Sequence, residues 1–425
     1  MDEGIGIDDT LRRRTTPPHT RRPQPLVRAR SAVLEELLKR DGEAFWQEVA
    51  ERGTPLVEAS EIEGHDIVTF LDRARADEPS TVLVASKLTD MFAPAETRLE
   101  QIEGTDVRSL SLLLPADWVA GYALARSPEP IPAVIAPGTG EYGAWRALSR
   151  NARPDPLCKD GIAQKPSWPR ISVGAASAAP PRPAFGAGGG RTVISEIDSA
   201  VLGGSRTASI YLPRDVVAPE RLLVLLDGEV WEQRLPAVLD EMTLHGQLPP
   251  VAAVFLDSRG PERRQVDYTP GAAFEGFLTG DLPAALRAAF PSLAEGGHVI
   301  AGQSLGGLCA VATSVAAPEV YGAAVSQSGS FWWPSATPFE EGRNVIAQQL
   351  SAARGPLPRV ILECGRMEWE MREDSRRLHD VLRARDADAV LLERGGGHDI
   401  AWWERTLPGS LREAFRGDPL RADAQ

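Results

Sequence analysis

Between residues 222 and 393, six short apolar runs (222–226, 251–256, 298–301, 323–326, 360–364 and 390–393) alternate with stretches of helical pattern. A run without polar alternation has both faces covered, and a helix between successive strands returns the chain in the same direction. The alternation therefore predicts an α/β domain with a largely parallel sheet between two layers of helices. Upstream the pattern changes. A helical opening over 32–52 leads to short β-type runs such as 81–85 and 108–114, separated by polar turns, which predicts a small sandwich-like β domain.

Gly, Ala and Pro dominate the stretch between these two regions, which reads as a flexible linker over 171–191. Its glycines at 188–190 lack the Lys-Ser/Thr step of a phosphate loop and lead into a strand-like run. The chain of 425 residues thus divides into an arginine-rich solvated tail (1–30), a β-rich domain (31–170), the linker and the α/β domain (192–418).

Composition excludes several classes of function. With 46 basic against 59 acidic residues the net charge is −13, and no basic block is interleaved with aromatics, so nucleic acid is not an expected partner. No segment reads as a membrane span. The tail carries Arg12, Arg13, Arg14, Arg21 and Arg22 but no apolar stretch of the kind an export signal needs. The cysteines Cys158, Cys309 and Cys364 are odd in number and lack metal-ligand spacing, so no disulfide framework and no bound metal are expected. A cytoplasmic setting follows as the expectation.

The chemistry concentrates on Gly302-Gln-Ser304-Leu-Gly306-Gly307, between an apolar run and a small-residue helical stretch. This Gly-x-Ser-x-Gly pattern is the nucleophile elbow of α/β-hydrolases, in which Ser304 occupies a strained turn with its hydroxyl above the sheet. The following helix offers N–H groups and the positive end of its dipole to an oxyanion. One oxyanion donor is expected at the Leu305 amide. The other is expected at the Glu229 amide, where Asp227-Gly228-Glu229 ends an earlier apolar run.

A serine nucleophile needs a base, and in this fold class the order along the chain is serine, acid, histidine. His379 and His398 lie downstream. His379 sits in a helical pattern, whereas His398 follows an apolar run and Gly395-Gly396-Gly397, so His398 is the expected base. The acid should follow the 360–364 run, where Glu368, Glu370, Glu373 and Asp374 are all placed for it. Spacing does not choose among them.

Several motifs together resemble the enterochelin esterases: Leu226-Asp-Gly-Glu-Val-Trp231, the Ser304 elbow, Ser326-Gln-Ser-Gly-Ser-Phe-Trp-Trp-Pro334, Leu362-Glu-Cys-Gly365 and Gly396-Gly-His-Asp399 with Trp403. Phe45-Trp46, Gly53-Thr-Pro-Leu-Val57 and Pro154-Asp-Pro-Leu157 resemble that family's N-terminal β domain. The resemblance implies a cytoplasmic serine esterase that opens the trilactone of ferric catecholate siderophores such as enterobactin. Iron would be present only as part of the substrate, with no cofactor.

The family's Gly-x-x-Glu step falls on Gly365-Arg-Met-Glu368, which implies Glu368 as the acid, as in the related mycolyltransferases. Its Arg-x-x-Glu-Leu step reads Arg264-Gln-Val-Asp267-Tyr268 here, one methylene shorter at the carboxylate, and Gly271 stands where the family has Asn. A polyanionic aromatic substrate would suit arginine and tryptophan, so Arg264, Asp267, Trp231, Trp333 and Trp403 are the expected substrate contacts. Two rival readings are a carbohydrate-linked feruloyl or acetyl esterase and a siderophore-binding protein without catalysis.

Overall fold

The computed structural model describes residues 20–136, 138–163, 169–334 and 344–418. In its N-terminal half, two short helices (Ala32–Leu37 and Gly42–Arg52) precede eight strands. These are β1 (Leu56–Ala59), β2 (His65–Arg73), β3 (Ser80–Ala85), β4 (Arg98–Gln101), β5 (Val107–Pro115), β6 (Val119–Ser127), β7 (Gly161–Ala163) and β8 (Arg170–Ala175). Their order is β1-β2-β5-β4-β3-β6-β8-β7, with every ladder antiparallel.

Short β4 pairs with both β5 and β3 and joins the two halves of the sheet. Phe70 of β2 meets the rings of Trp118 and Tyr122 edge-on at 6.1 and 5.1 Å, so the two halves share one apolar core. Strands β2 and β5 thus face β3 and β6 across a shared core, as in a sandwich, while β4 links the two sets into one continuous strand order.

The second half carries β9 (Arg191–Ser199), β10 (Gly204–Leu212), β11 (Arg221–Leu225), β12 (Val251–Leu256), β13 (His298–Gln303), β14 (Tyr321–Gln327), β15 (Arg359–Gly365) and β16 (Ala389–Arg394), in the order β16-β15-β14-β13-β11-β12-β10-β9. From β12 through β11 to β16 neighbouring strands run parallel, while β10 pairs antiparallel with β12 and with edge strand β9. Each of the six apolar runs lies on one of the parallel strands. Their lack of polar alternation has a direct cause. Leu222 and Val224 pack into one core layer, with Leu308, Val311, Ile346 and Leu378 of the covering helices, and Leu223 and Leu225 pack into the opposite layer.

The second layer also takes in Val119, Ile162 and Val173 from the N-terminal sheet, against Trp402 and Trp403. The two halves therefore share a core. Three expectations are corrected accordingly. First, the boundary at 171 falls inside β8, which pairs with β6 and β7.

Second, the Ala/Pro/Gly stretch is tied down. Ala176 and Ala178 amides donate to the carbonyls of Trp118 and Ala116, and those of Gly189 and Gly190 to Asp240 and the Tyr211 hydroxyl. Gly190 is required there, because a Cβ would fall 2.1 Å from the Leu212 carbonyl oxygen. Third, the solvated tail ends well before residue 30. The Ala29 amide donates to Ser111, the Leu113 amide donates to Val27, and Arg22 reaches Asp90, Leu88 and Glu96. Residues 1–19 of that tail lie outside the described residues. Among the described residues, no helix is long and apolar enough to cross a membrane.

Candidate active site

Ser304 joins the end of β13 to the helix Leu305–Ala316 with φ 59° and ψ −122°, a strained conformation for a residue with a side chain. Its flanking glycines are demanded by close approach. A Cβ on Gly302 would lie 2.4 Å from the Gly306 carbonyl, and one on Gly307 would lie 2.4 Å from Ser326 Oγ. The Ser304 amide donates to Gln327 (3.0 Å), its carbonyl accepts from Ser330 N–H (3.1 Å), and its hydroxyl lies 3.4 Å from Ser330 Oγ.

His398 stands on the loop after β16, with its Nδ1 2.6 Å from Glu368 Oε1. Of the four carboxylates open at the sequence level, Glu368 is the one that reaches the histidine. Glu370 pairs with Lys87 at 3.3 Å, Glu373 pairs with Arg377 at 3.0 Å, and Asp374 is buried in the following helix. Glu368 is fully buried and its other oxygen accepts from Ser328 Oγ (2.7 Å) and the Gly365 amide (2.8 Å).

Burial alone would push the Glu368 carboxyl up. The hydrogen bonds from His398, Gly365 and Ser328 outweigh it and hold the group below the ordinary glutamate value. An ionised Glu368 can only accept, so Nδ1 carries the proton and Nε2 is left to act as a base. Trp403 completes the support, with its ring edge-on to the imidazole at 4.9 Å and Nε1–H donating to Ser328 Oγ at 2.9 Å.

Ser304 and His398 line a cavity of about 560 Å³ between the two halves of the molecule. Lys87, Met91 and Trp145 come to it from the N-terminal half, and Leu305, Trp332 and Trp369 from the other. Leu305, whose amide is the expected oxyanion donor, thus lines the cavity. Glu229 lies in the first turn of the short helix Gly228–Trp231. Its carboxylate points elsewhere, to the Ser258 amide and hydroxyl.

The expected substrate contacts fare unevenly. Arg264 lines the cavity, but its Nε and Nη2 donate to Asp227 at 2.6 and 2.7 Å, so its charge is already compensated. Asp227, in turn, adopts a left-handed conformation (φ 54°), and its amide donates to the Tyr268 hydroxyl oxygen, 2.8 Å away. Arg264 therefore clamps the turn before Glu229. Asp267 is a correction: it is buried in ion pairs with Arg206 (3.2 Å) and Arg263 (2.9 Å), away from the cavity.

Trp231 is another correction, since its ring is fully buried and Nε1–H donates to Gln303 Oε1 at 3.0 Å. Trp333 packs against the core, and its neighbour Trp332 faces the cavity instead. Trp403 reaches His398 rather than the cavity. Sequence reasoning missed Lys87, Trp145, Arg146 and Trp369. No motif marks Lys87, Trp145 and Arg146, and only the packing of the two halves brings them to Ser304, whereas Trp369 directly follows Glu368. Among the described residues, no three His, Cys, Asp or Glu side chains cluster as metal ligands.

Family models agree with this two-part architecture. The model named Esterase matches residues 199–414, and the one described as "Enterochelin esterase, N-terminal" matches residues 67–185. The iron(III) enterobactin esterase of Dickeya dadantii (strain 3937) is 30% identical to this chain, over 89% of this chain and 94% of that one. The chain belongs to the enterobactin esterase family.

A second member, the iron(III) salmochelin esterase of Escherichia coli O6:H1, is 28% identical over 85% of this chain and 91% of its own. Solved structures of the family extend the likeness to the whole fold. The ferric enterobactin esterase of Salmonella typhimurium superposes with a TM-score of 0.76 at 26% identity, covering 90% of this chain and 100% of that one. The enterobactin esterase of Shigella flexneri, solved in the presence of enterobactin, gives 0.73 at 27%, covering 88% and 98%. Like the rest of the family, this chain is a carboxylic ester hydrolase.

Proposed function

We propose that this chain hydrolyses the ester bonds of ferric catecholate siderophores of the enterobactin class. One observation carries the reading: the cavity holding Ser304 and the Glu368-supported His398 lies between the two halves that this chain shares with its enterobactin esterase relatives. Trp145, Trp332 and Trp369 supply aromatic faces in that cavity for catechol rings, and Arg146 supplies a cation for an anionic complex, whereas Lys87 is already paired with Glu370.

In the proposed mechanism His398 takes the proton from Ser304 Oγ as that oxygen attacks a lactone carbonyl. The amides of Leu305 and Glu229 donate to the oxyanion, and Glu368 stabilises the imidazolium. His398 then protonates the departing alkoxide, leaving an ester on Ser304. Water that gives a proton to His398 hydrolyses this acyl-enzyme and regenerates the serine. Iron enters as part of the substrate, and the shortened ligand loses its chelate advantage. The free thiols of Cys158, Cys309 and Cys364 suit the reducing interior of a cell.

Mass spectrometry of products over time, from iron-loaded and iron-free cyclic trilactones and from a feruloyl sugar, tests this reading. Stepwise ring opening of the ferric trilactone is expected. Turnover of the feruloyl sugar alone would overturn it.

A further inference from the structure

The loop that carries the base is held from the other half of the molecule. After β16 the chain runs through Gly395, Gly396, Gly397 and His398 to Asp399, which caps the helix Ile400–Ala414. At one end of this loop the Val119 amide donates to the Gly395 carbonyl at 2.7 Å, and the Gly395 amide donates to Asp117 Oδ2 at 3.1 Å. Asp117 also pairs with Arg366, on the segment between β15 and Glu368. At the other end Ser86 Oγ donates to the His398 carbonyl at 2.9 Å, and the Gly121 amide donates to Asp399 Oδ2 at 2.8 Å.

The approach is close enough to dictate composition. A Cβ on Gly395 would fall 2.4 Å from Asp117 Oδ1, and one on Gly397 would fall 2.1 Å from the Ser86 carbonyl oxygen. These glycines are therefore required by the N-terminal half pressing on the loop.

Asp399 is the centre of the contact. One oxygen accepts from the Ala401 amide at 2.7 Å, capping its own helix, and the other accepts from Gly121 in β6. Burial pushes this carboxyl up, so an ionised Asp399 is a costly way to cap a helix, a task that Asn or Ser performs equally well. What the carboxylate adds is a second acceptor, used across the boundary between the two halves.

We propose that Asp399 and Ser86 are positioning residues, through which the N-terminal half sets the place of the His398 imidazole relative to Ser304. The proposal rests on the hydrolase reading above and extends it: even an ester too small to touch the N-terminal half depends on that half for turnover. With the main chain fixed on both sides of His398, its ring torsions are left to Glu368 and Trp403. A displacement of the base by about 1 Å costs on the order of a hundredfold in rate.

The test uses full-length Asp399→Asn, Ser86→Ala and Ser86→Thr beside the wild type. Asp399→Asn keeps an oxygen for the Ala401 amide but turns an N–H group toward Gly121. Steady-state kinetics on 4-nitrophenyl butyrate, the rate of Ser304 labelling by a fluorophosphonate, and Tm are measured together. For Asp399→Asn, kcat and labelling rate are expected to fall by about tenfold or more with KM unchanged. Ser86→Ala should fall in the same direction and Ser86→Thr should recover.

Wild-type kcat on the small ester in both Asp399→Asn and Ser86→Ala overturns the proposal, whether the change moves to KM for the ferric complex or to Tm alone. If Asp399→Asn does not fold, the Ser86 pair decides. A wild type that neither hydrolyses an ester nor takes up the fluorophosphonate would instead sink the hydrolase reading, and this proposal with it.

Discussion

At the scale of single residues, the site separates groups that act from groups that hold them. Ser304→Ala should reduce hydrolysis by about a thousandfold or more with folding intact, as a progress curve on the ferric trilactone would show. Glu368→Gln should lower kcat by more than about tenfold, because a neutral amide neither fixes the Nδ1 proton nor stabilises imidazolium, while Glu373→Gln on the exposed side of the next helix should not. The depressed Glu368 carboxyl also bears on stability. Its contribution is complete above the unfolded value of about 4.3 and is lost as pH falls from there through the lower folded value. Arg146 offers the cavity a cation: it stacks over Tyr142 at 5.9 Å and has no carboxylate partner among the described residues. Arg146→Gln should therefore raise KM for the charged ferric complex more than for the iron-free ester, with the difference shrinking as salt is added.

Among the elements, β13 matters most, since it leads directly into the nucleophile and lies between β11 and β14. Its first residue, His298, is fully buried, accepts the Leu222 amide at Nδ1 (3.2 Å) and is pushed down to about 4 by burial, aided by Arg221 and Arg287. A neutral imidazole is thus built into the sheet. Because the folded value lies below the unfolded one, its contribution is complete above about pH 6.5 and is lost as pH falls from there through about 4. His298→Gln, whose carbonyl can still accept the Leu222 amide, should flatten the fall of Tm across that window, as a thermal scan at stepped pH would show. The last residue of β13 begins a buried row in which Gln303 Nε2 donates to Gln327 (2.9 Å), and Gln327 Nε2 donates to Glu363 (2.7 Å). Arg394 closes the row on Glu363 at 2.7 Å. These pairs cross β13 to β16 beneath the catalytic residues and keep the strand ends in step, because leaving any member unpaired would cost about 1–3 kcal/mol.

For the molecule as a whole, the shared core of Val119, Ile162 and Val173 with Trp402 and Trp403 makes two halves into one cooperative unit. Unfolding in urea should show a single transition, coincident by tryptophan fluorescence and far-UV circular dichroism. Two separated transitions would contradict this coupling. The sequence by itself determined the parallel strands, since a residue run buried on both faces must be apolar throughout. It also marked Ser304 and His398, since a serine between glycines after such a run has little other use, and a histidine behind three glycines must approach something closely. The choice among Glu368, Glu370, Glu373 and Asp374 was invisible to spacing, because all four follow the same strand and only the fold of the loop decides which oxygen meets Nδ1. Trp231 and Trp333 looked like substrate contacts and proved to be packing, because a position next to a motif in the chain does not say which face of an element a side chain leaves from. The tertiary structure alone decided that the Ala/Pro/Gly stretch expected to be a flexible linker is fastened down, and that Gly395 and Gly397 make room for the N-terminal half. In both cases the cause is a contact between residues far apart in the chain, which no local pattern records.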